Sequence, residues 1–138
     1  MKTQQLISYL KVFGQNIRTL HRHLIGGNWM NDHEKLAEYY EKIDDMEDAV
    51  VEAAISSGQS DVSIKDAIST VDVLDCREYT SQEAFSIVQK YFIILRKLFE
   101  GIKEEHIFAP GIISEFESFE YWLYIEAEYK LKNWLSDK

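Results

Sequence analysis

Basic charge is scarce in this chain. Its 15 Lys and Arg face 24 Asp and Glu, a formal net charge of −9. Non-specific nucleic-acid binding needs basic surface to displace counterions, so the charge balance argues against it. Only Lys2 and Lys11 precede Arg18, which leaves no basic arm, and the lysines at 130, 132 and 138 read as a solvated helix end favoured by the helix dipole. The single cysteine, Cys76, excludes an internal disulfide and fits a reducing cytoplasm; it reads as a partly buried, unreactive thiol. No run of about 18 apolar residues occurs, so no membrane span is expected. The opening "MKTQQLISYL" has no uninterrupted apolar stretch and no small-residue cleavage site, and the expectation is no signal peptide and a cytoplasmic location. A serine nucleophile on a glycine elbow, a phosphate-cradling glycine loop and paired cysteines are all missing, and with them the chemistries they carry.

With one proline and six glycines, the chain has few breakers, and long helices fill the space between them. Leu6, Leu10, Phe13, Ile17, Leu20 and Leu24 form one helical stripe that stops at Gly26-Gly27. Asn31 and Glu34 have the spacing of an N-cap for a second helix, whose face is Leu36, Tyr39, Ile43, Met46, Val50 and Ala54 and whose end lies near Ser56-Ser57-Gly58. "SIKDAIST" predicts a short helix capped by Ser63. A capping box at Thr80 and Glu83 starts a third long helix with Ala84, Val88, Tyr91, Leu95, Leu98 and Ile102 inward. Pro110-Gly111 breaks the chain again, and Phe116, Phe119, Leu123, Ala127 and Leu131 or Trp134 mark a fourth helix. No segment has a strand period.

Four such stripes satisfy one another in an all-α four-helix bundle, expected as a single domain over 1–138. The connection between the second and third helices is about 22 residues, against a usual 2–8 for a tight helical turn. A long crossover carrying the short helix is the ferritin-like solution. The last helix has more aromatics than one face can bury, which suggests subunit contact.

Metal ligands are the remaining signal. His21 lies about 60° from Leu6 around the first helix, on the flank of its stripe, with His23 on the other, more exposed side. His33, Ala37, Tyr40, Asp44 and Asp48 form a stripe roughly 90° from the apolar face of the second helix, and Glu52 continues it. Imidazole with carboxylate suits divalent first-row metals, Fe(II) among them. An intramolecular di-iron centre built on Glu-x-x-His is excluded, because Arg18, Leu20, Met30 and Lys103 stand three before the four histidines. "KEEHIF", around His106, reads as a solvated charge cluster.

His21, His33, Asp48 and Glu52, in that order and spacing, resemble the ferroxidase signature of the Dps family (DNA-binding proteins from starved cells), the mini-ferritins. Gly26, Trp29 and Tyr40 fit the same pattern, as do "SIKDAIST", "YTSQEAFSIVQKYF" and "ISEFESFEYWLYIEAEY", so the resemblance covers nearly the whole chain. It implies a site between two subunits related by a twofold axis, with His21 and His33 from one and Asp48 and Glu52 from the other. It further implies Fe(II) binding, oxidation to Fe(III) by peroxide or oxygen, and mineral stored in a homo-oligomeric shell of about twelve subunits. Tyr40 and Asp44 would stand behind the ligands. Ala37 departs from the pattern, since the family usually has aspartate there, and "HRHLIGG" departs too. The alternative is a ferritin-like oligomeric scaffold or binding protein with no ferroxidase activity.

Overall fold

The computed structural model describes residues 1–137; Lys138, of the C-terminal lysine group, lies outside them. The chain runs α1 (Lys2–Arg22), β1 (Leu24–Ile25), α2 (Trp29–Ser56), α3 (Ile64–Ile68), β2 (Tyr79–Thr80), α4 (Ser81–Lys103) and α5 (Pro110–Ile125). Helix α5 continues through a π-helical turn, Glu126–Leu131, into α6 (Lys132–Ser136), so the last rod of the bundle is three segments end to end. Helix α1 packs on α2 and α4, α4 packs on α5 and the π turn, and α3 lies against α1. This is the four-helix bundle with a short helix in its long crossover.

The buried stripes of α1, α2 and the last rod are those the periodicity marks, from Leu6 through Leu20, Leu36 through Ala54 and Phe116 through Leu131. In α4 the stripe is rotated. Phe85, Phe92 and Phe99 point inward with Ala84, Val88, Leu95 and Ile102, while Tyr91 and Leu98 are only half-buried. Phe92 sits between Tyr39 at 5.0 Å and Trp122 at 5.3 Å, centroid to centroid, and Phe99 meets Phe116 and Phe119. Each buried phenylalanine contributes about 2–3 kcal/mol of transfer free energy and has no hydroxyl to satisfy, so the wholly apolar rings take the centre. Tyr91 turns toward α1 instead, stacked on Phe13 at 3.7 Å.

The breakers behave as punctuation with two adjustments. Gly26 adopts φ 129, which only glycine holds without strain, and lets α2 begin at Trp29 behind an Asn28 N-cap rather than behind Asn31. Asn31 lies inside the first turn, where Trp29 stacks on His33 one turn further on. Pro110 occupies the first turn of α5, where its missing N–H costs nothing. The other two capping predictions are met: Ser63 Oγ accepts from the Asp66 N–H, and Thr80 and Glu83 form a full capping box. Contrary to the expectation of no strand, β1 and β2 make a two-residue parallel bridge, Leu24 to Tyr79 and Ile25 to Thr80. It fastens the end of the crossover beside the α1–α2 turn.

Three corrections concern polar residues. Cys76 is exposed, not partly buried. His23, expected on the more exposed side, is half-buried as His21 is, and its carbonyl accepts from the Tyr79 N–H as the chain enters the bridge. The "KEEHIF" segment is not merely solvated: the Glu105 carboxylate accepts from both the N–H and the hydroxyl of Thr3, supplying α1 with the N-terminal anion its own sequence lacks.

A buried asparagine in α1 holds the crossover down. Asn16 is fully buried; its amide donates to the Asp72 carbonyl and to the Tyr91 hydroxyl, both at 2.9 Å, and its oxygen accepts from the Leu74 N–H at 3.0 Å. Burial pushes the Tyr91 hydroxyl up to about 12, so it stays protonated throughout the neutral range. Asn16→Ala leaves these groups without their partner. Urea unfolding should show a loss of about 2 kcal/mol, with proteolysis entering first between 70 and 78.

Candidate metal centre

His21 lies in the last turn of α1, and His33 stands one turn into α2, across the Gly26-Gly27 turn. The antiparallel hairpin brings their rings face to face, 3.6 Å between centroids. Each Nδ1 bonds the other residue's backbone carbonyl, His21 Nδ1 to His33 O at 2.8 Å and His33 Nδ1 to His21 O at 2.9 Å. A carbonyl only accepts, so both Nδ1 atoms carry the proton. In a neutral ring that tautomer leaves the lone pair on Nε2, the arrangement by which backbone partners orient metal-binding imidazoles.

The pair is walled by aromatics. Trp29 stacks on the outer face of His33 at 4.2 Å, and Tyr40 meets His21 edge-on at 5.4 Å. Arg18 lies over the Tyr40 ring, 4.6 Å from its centroid, and its guanidinium grips the Asp44 carboxylate with both Nη atoms. Burial holds His21 below its ordinary pKa; the carbonyl of His33 works against that shift, while the His33 ring and Arg22 add to it. His21 is therefore neutral at neutral pH, the protonation state in which imidazole binds a metal.

Asp48 and Glu52 are elsewhere. They are exposed on the same helix, beside Asp45 and Glu115 in a shallow open cleft whose floor includes Ala49 and Ile112. Fifteen residues of helix separate His33 from Asp48, about 22 Å at 1.5 Å per residue. One rigid helix cannot close that gap. Among the described residues, no three His, Cys, Asp or Glu side chains of one chain are grouped to hold a metal ion. The imidazole half of the predicted ligand set is thus assembled within a chain, and the carboxylate half stands apart from it. Of the supporting residues, Tyr40 touches His21 directly, whereas Asp44 is engaged by Arg18. The Arg18–Asp44 engagement joins two helices across 26 residues, and no local spacing in the sequence marks it.

The geometry has a direct spectroscopic consequence. At pH 8 the imidazole nitrogen-15 shifts of His21 and His33 should report the Nδ1–H tautomer in both rings. Trp29→Ala should broaden the His33 signals, and Nε2–H tautomers at both positions would contradict the reciprocal bonding.

No protein-family model matches the sequence, and no curated protein matches it significantly. Solved structures do. The antigen TpF1 from Treponema pallidum superposes with a TM-score of 0.87 at 20% identity, over 97% of this chain and 88% of that one. Dps from Staphylococcus aureus gives 0.85 at 15% identity, over 97% and 92%. Dps from Listeria innocua, in crystals soaked with zinc, gives 0.82 at 19% identity, over 99% and 97%. Across essentially its whole length, at sequence identities that attest the fold alone, this chain has the ferritin-like four-helix fold of the Dps proteins.

Proposed function

We propose that the protein is a Dps-like ferritin that binds Fe(II) at a site between two subunits, oxidises it and stores or detoxifies the iron. The observation that carries this reading is the His21–His33 clasp, two imidazoles whose Nδ1 atoms are held by each other's backbone carbonyls, so that both Nε2 atoms are turned away from those bonds. Such a pair supplies two ligands to a divalent ion and leaves the remaining positions open to carboxylate and oxidant.

The carboxylates would come from a second copy. If two α2 helices pack antiparallel about a twofold axis near residues 40 and 41, His33 of one chain falls opposite Asp48 of the other, and Glu52 falls opposite Trp29. Fe(II) would be held by His21 and His33 from one side and by the partner's Asp48 and Glu52 from the other. Each Fe(II) gives up one electron, and two such electrons with two protons reduce a peroxide to two waters. The acidic charge balance suits a shell that draws cations inward. A second reading, an oligomeric scaffold without ferroxidase activity, is favoured by Ala37, which puts a methyl group on the carboxylate stripe, and by the engagement of Asp44.

Ferric absorbance after mixing the protein with Fe(II) and peroxide separates the two. The native chain should oxidise iron at least about tenfold faster than His33→Ala or Asp48→Ala; equal rates in all three would leave the scaffold. Light scattering should give a particle mass near about twelve times the 16.2 kDa chain. A dimer would keep the twofold site but deny it a storage cavity.

A further inference from the structure

We infer that Arg18 is a resident cation of the inter-subunit site and restricts it to a single metal ion; the inference rests on the twofold arrangement proposed above. The argument begins with register. A twofold axis that sets His33 opposite the partner's Asp48 also sets Ala37 opposite the partner's Asp44. The position that has lost its carboxylate therefore faces the next carboxylate on the stripe, and a second ion beside the imidazole pair would need that group.

Asp44 is not free to serve. Both its oxygens are bonded by Arg18, with distances of 3.3 Å from Nη1 to Oδ1 and a closer contact from Nη2 to Oδ2. The guanidinium is fixed from its other side by the Tyr40 ring, which in turn abuts His21. Arg18 thus reaches from α1 across the seam onto α2, and in the twofold pair its charge stands opposite the partner's Ala37, on the side of the partner's imidazole pair. A flexible surface arginine would swing away from an arriving cation. This one is held by a two-pronged ion pair and a stacked ring, and it is half-buried. It neutralises the one spare carboxylate and repels a second divalent ion from the place beside Ala37. The same charge weakens the first ion somewhat, so removing it should strengthen that binding.

The consequence is that restoring the carboxylate at 37 is not enough to create a second metal position. Zinc titration of the assembled protein, followed by calorimetry and by metal content after gel filtration, reads stoichiometry independently of iron oxidation. The native chain should take one Zn(II) per subunit, and Ala37→Asp should still take one. Arg18→Gln alone should keep one ion and bind it roughly tenfold tighter, as loss of a nearby unit charge implies. Ala37→Asp with Arg18→Gln should take two, and Ala37→Asp with Arg18→Lys, which retains the charge, should return to one. Helical circular dichroism and particle mass confirm that each variant is folded and assembled, and Ala37→Asp with Arg18→Met, which also removes the charge and should take two, serves if the glutamine one is not. Two ions bound by Ala37→Asp alone, or one bound by the glutamine double variant, would overturn the role of Arg18. No zinc bound by the native chain, with His33→Ala identical to it, would instead remove the metal site beneath it.

Discussion

From the Gly26-Gly27 turn outward, α1 is tied to α2 by side chains at successive levels. His21 and His33 exchange bonds with each other's carbonyls, Arg18 grips Asp44, Lys11 meets Glu47 at 2.8 Å, and Gln4 reaches Gln59 beyond the end of α2. Apolar stripes alone define which faces meet but tolerate sliding along the axis. These polar contacts do not, because a shift of one turn would leave every one of them unmade in partly buried surroundings. The register of this hairpin decides where the crossover begins, where Asn16 receives it, and how the imidazoles face each other.

The far half of the bundle solves a related problem by a different device. Glu126 is buried at the start of the π turn, where Lys130 bonds it at 2.9 Å, Lys35 approaches at 3.4 Å, and the Tyr39 hydroxyl shares it. A buried carboxylate needs such company, and two ammonium groups from α2 and the last rod supply it. Burial and the Glu126 charge hold the Tyr39 hydroxyl well above its usual range, so it remains a donor. The Gln89 amide donates to the Ala127 carbonyl at 3.0 Å, within the turn whose bonding pattern the π geometry disturbs. Lysine on carboxylate therefore links α2 to the last rod here, much as Arg18 on Asp44 links α1 to α2.

Much of this was legible in the residues. Leu36 to Ala54 repeats at helical spacing and is buried as a stripe; Thr80 with Glu83 announces its capping box; the distance from Gly58 to Thr80 demands a crossover. Where the periodicity misled, competing apolar residues were the cause. In α4, Tyr91 and Leu98 satisfy the same spacing as Phe92 and Phe99, and only the volume available between Tyr39 and Trp122 selects the phenylalanines. Asn31 offered a better cap on paper than Asn28, but local chemistry cannot know that Trp29 has a ring to stack upon.

What the sequence by itself determined was the class of fold and the identity of the candidate ligands, because helix periodicity, caps and breakers act within a few residues and imidazole and carboxylate have fixed chemistry. Only the tertiary structure decided that the Nδ1 atoms of the two histidines bond each other's carbonyls and that Asp44 is claimed by Arg18. The reason is physical: hydrogen-bond partners twelve or twenty-six residues apart are set by the packing of one helix on another, and no local rule of spacing contains that information.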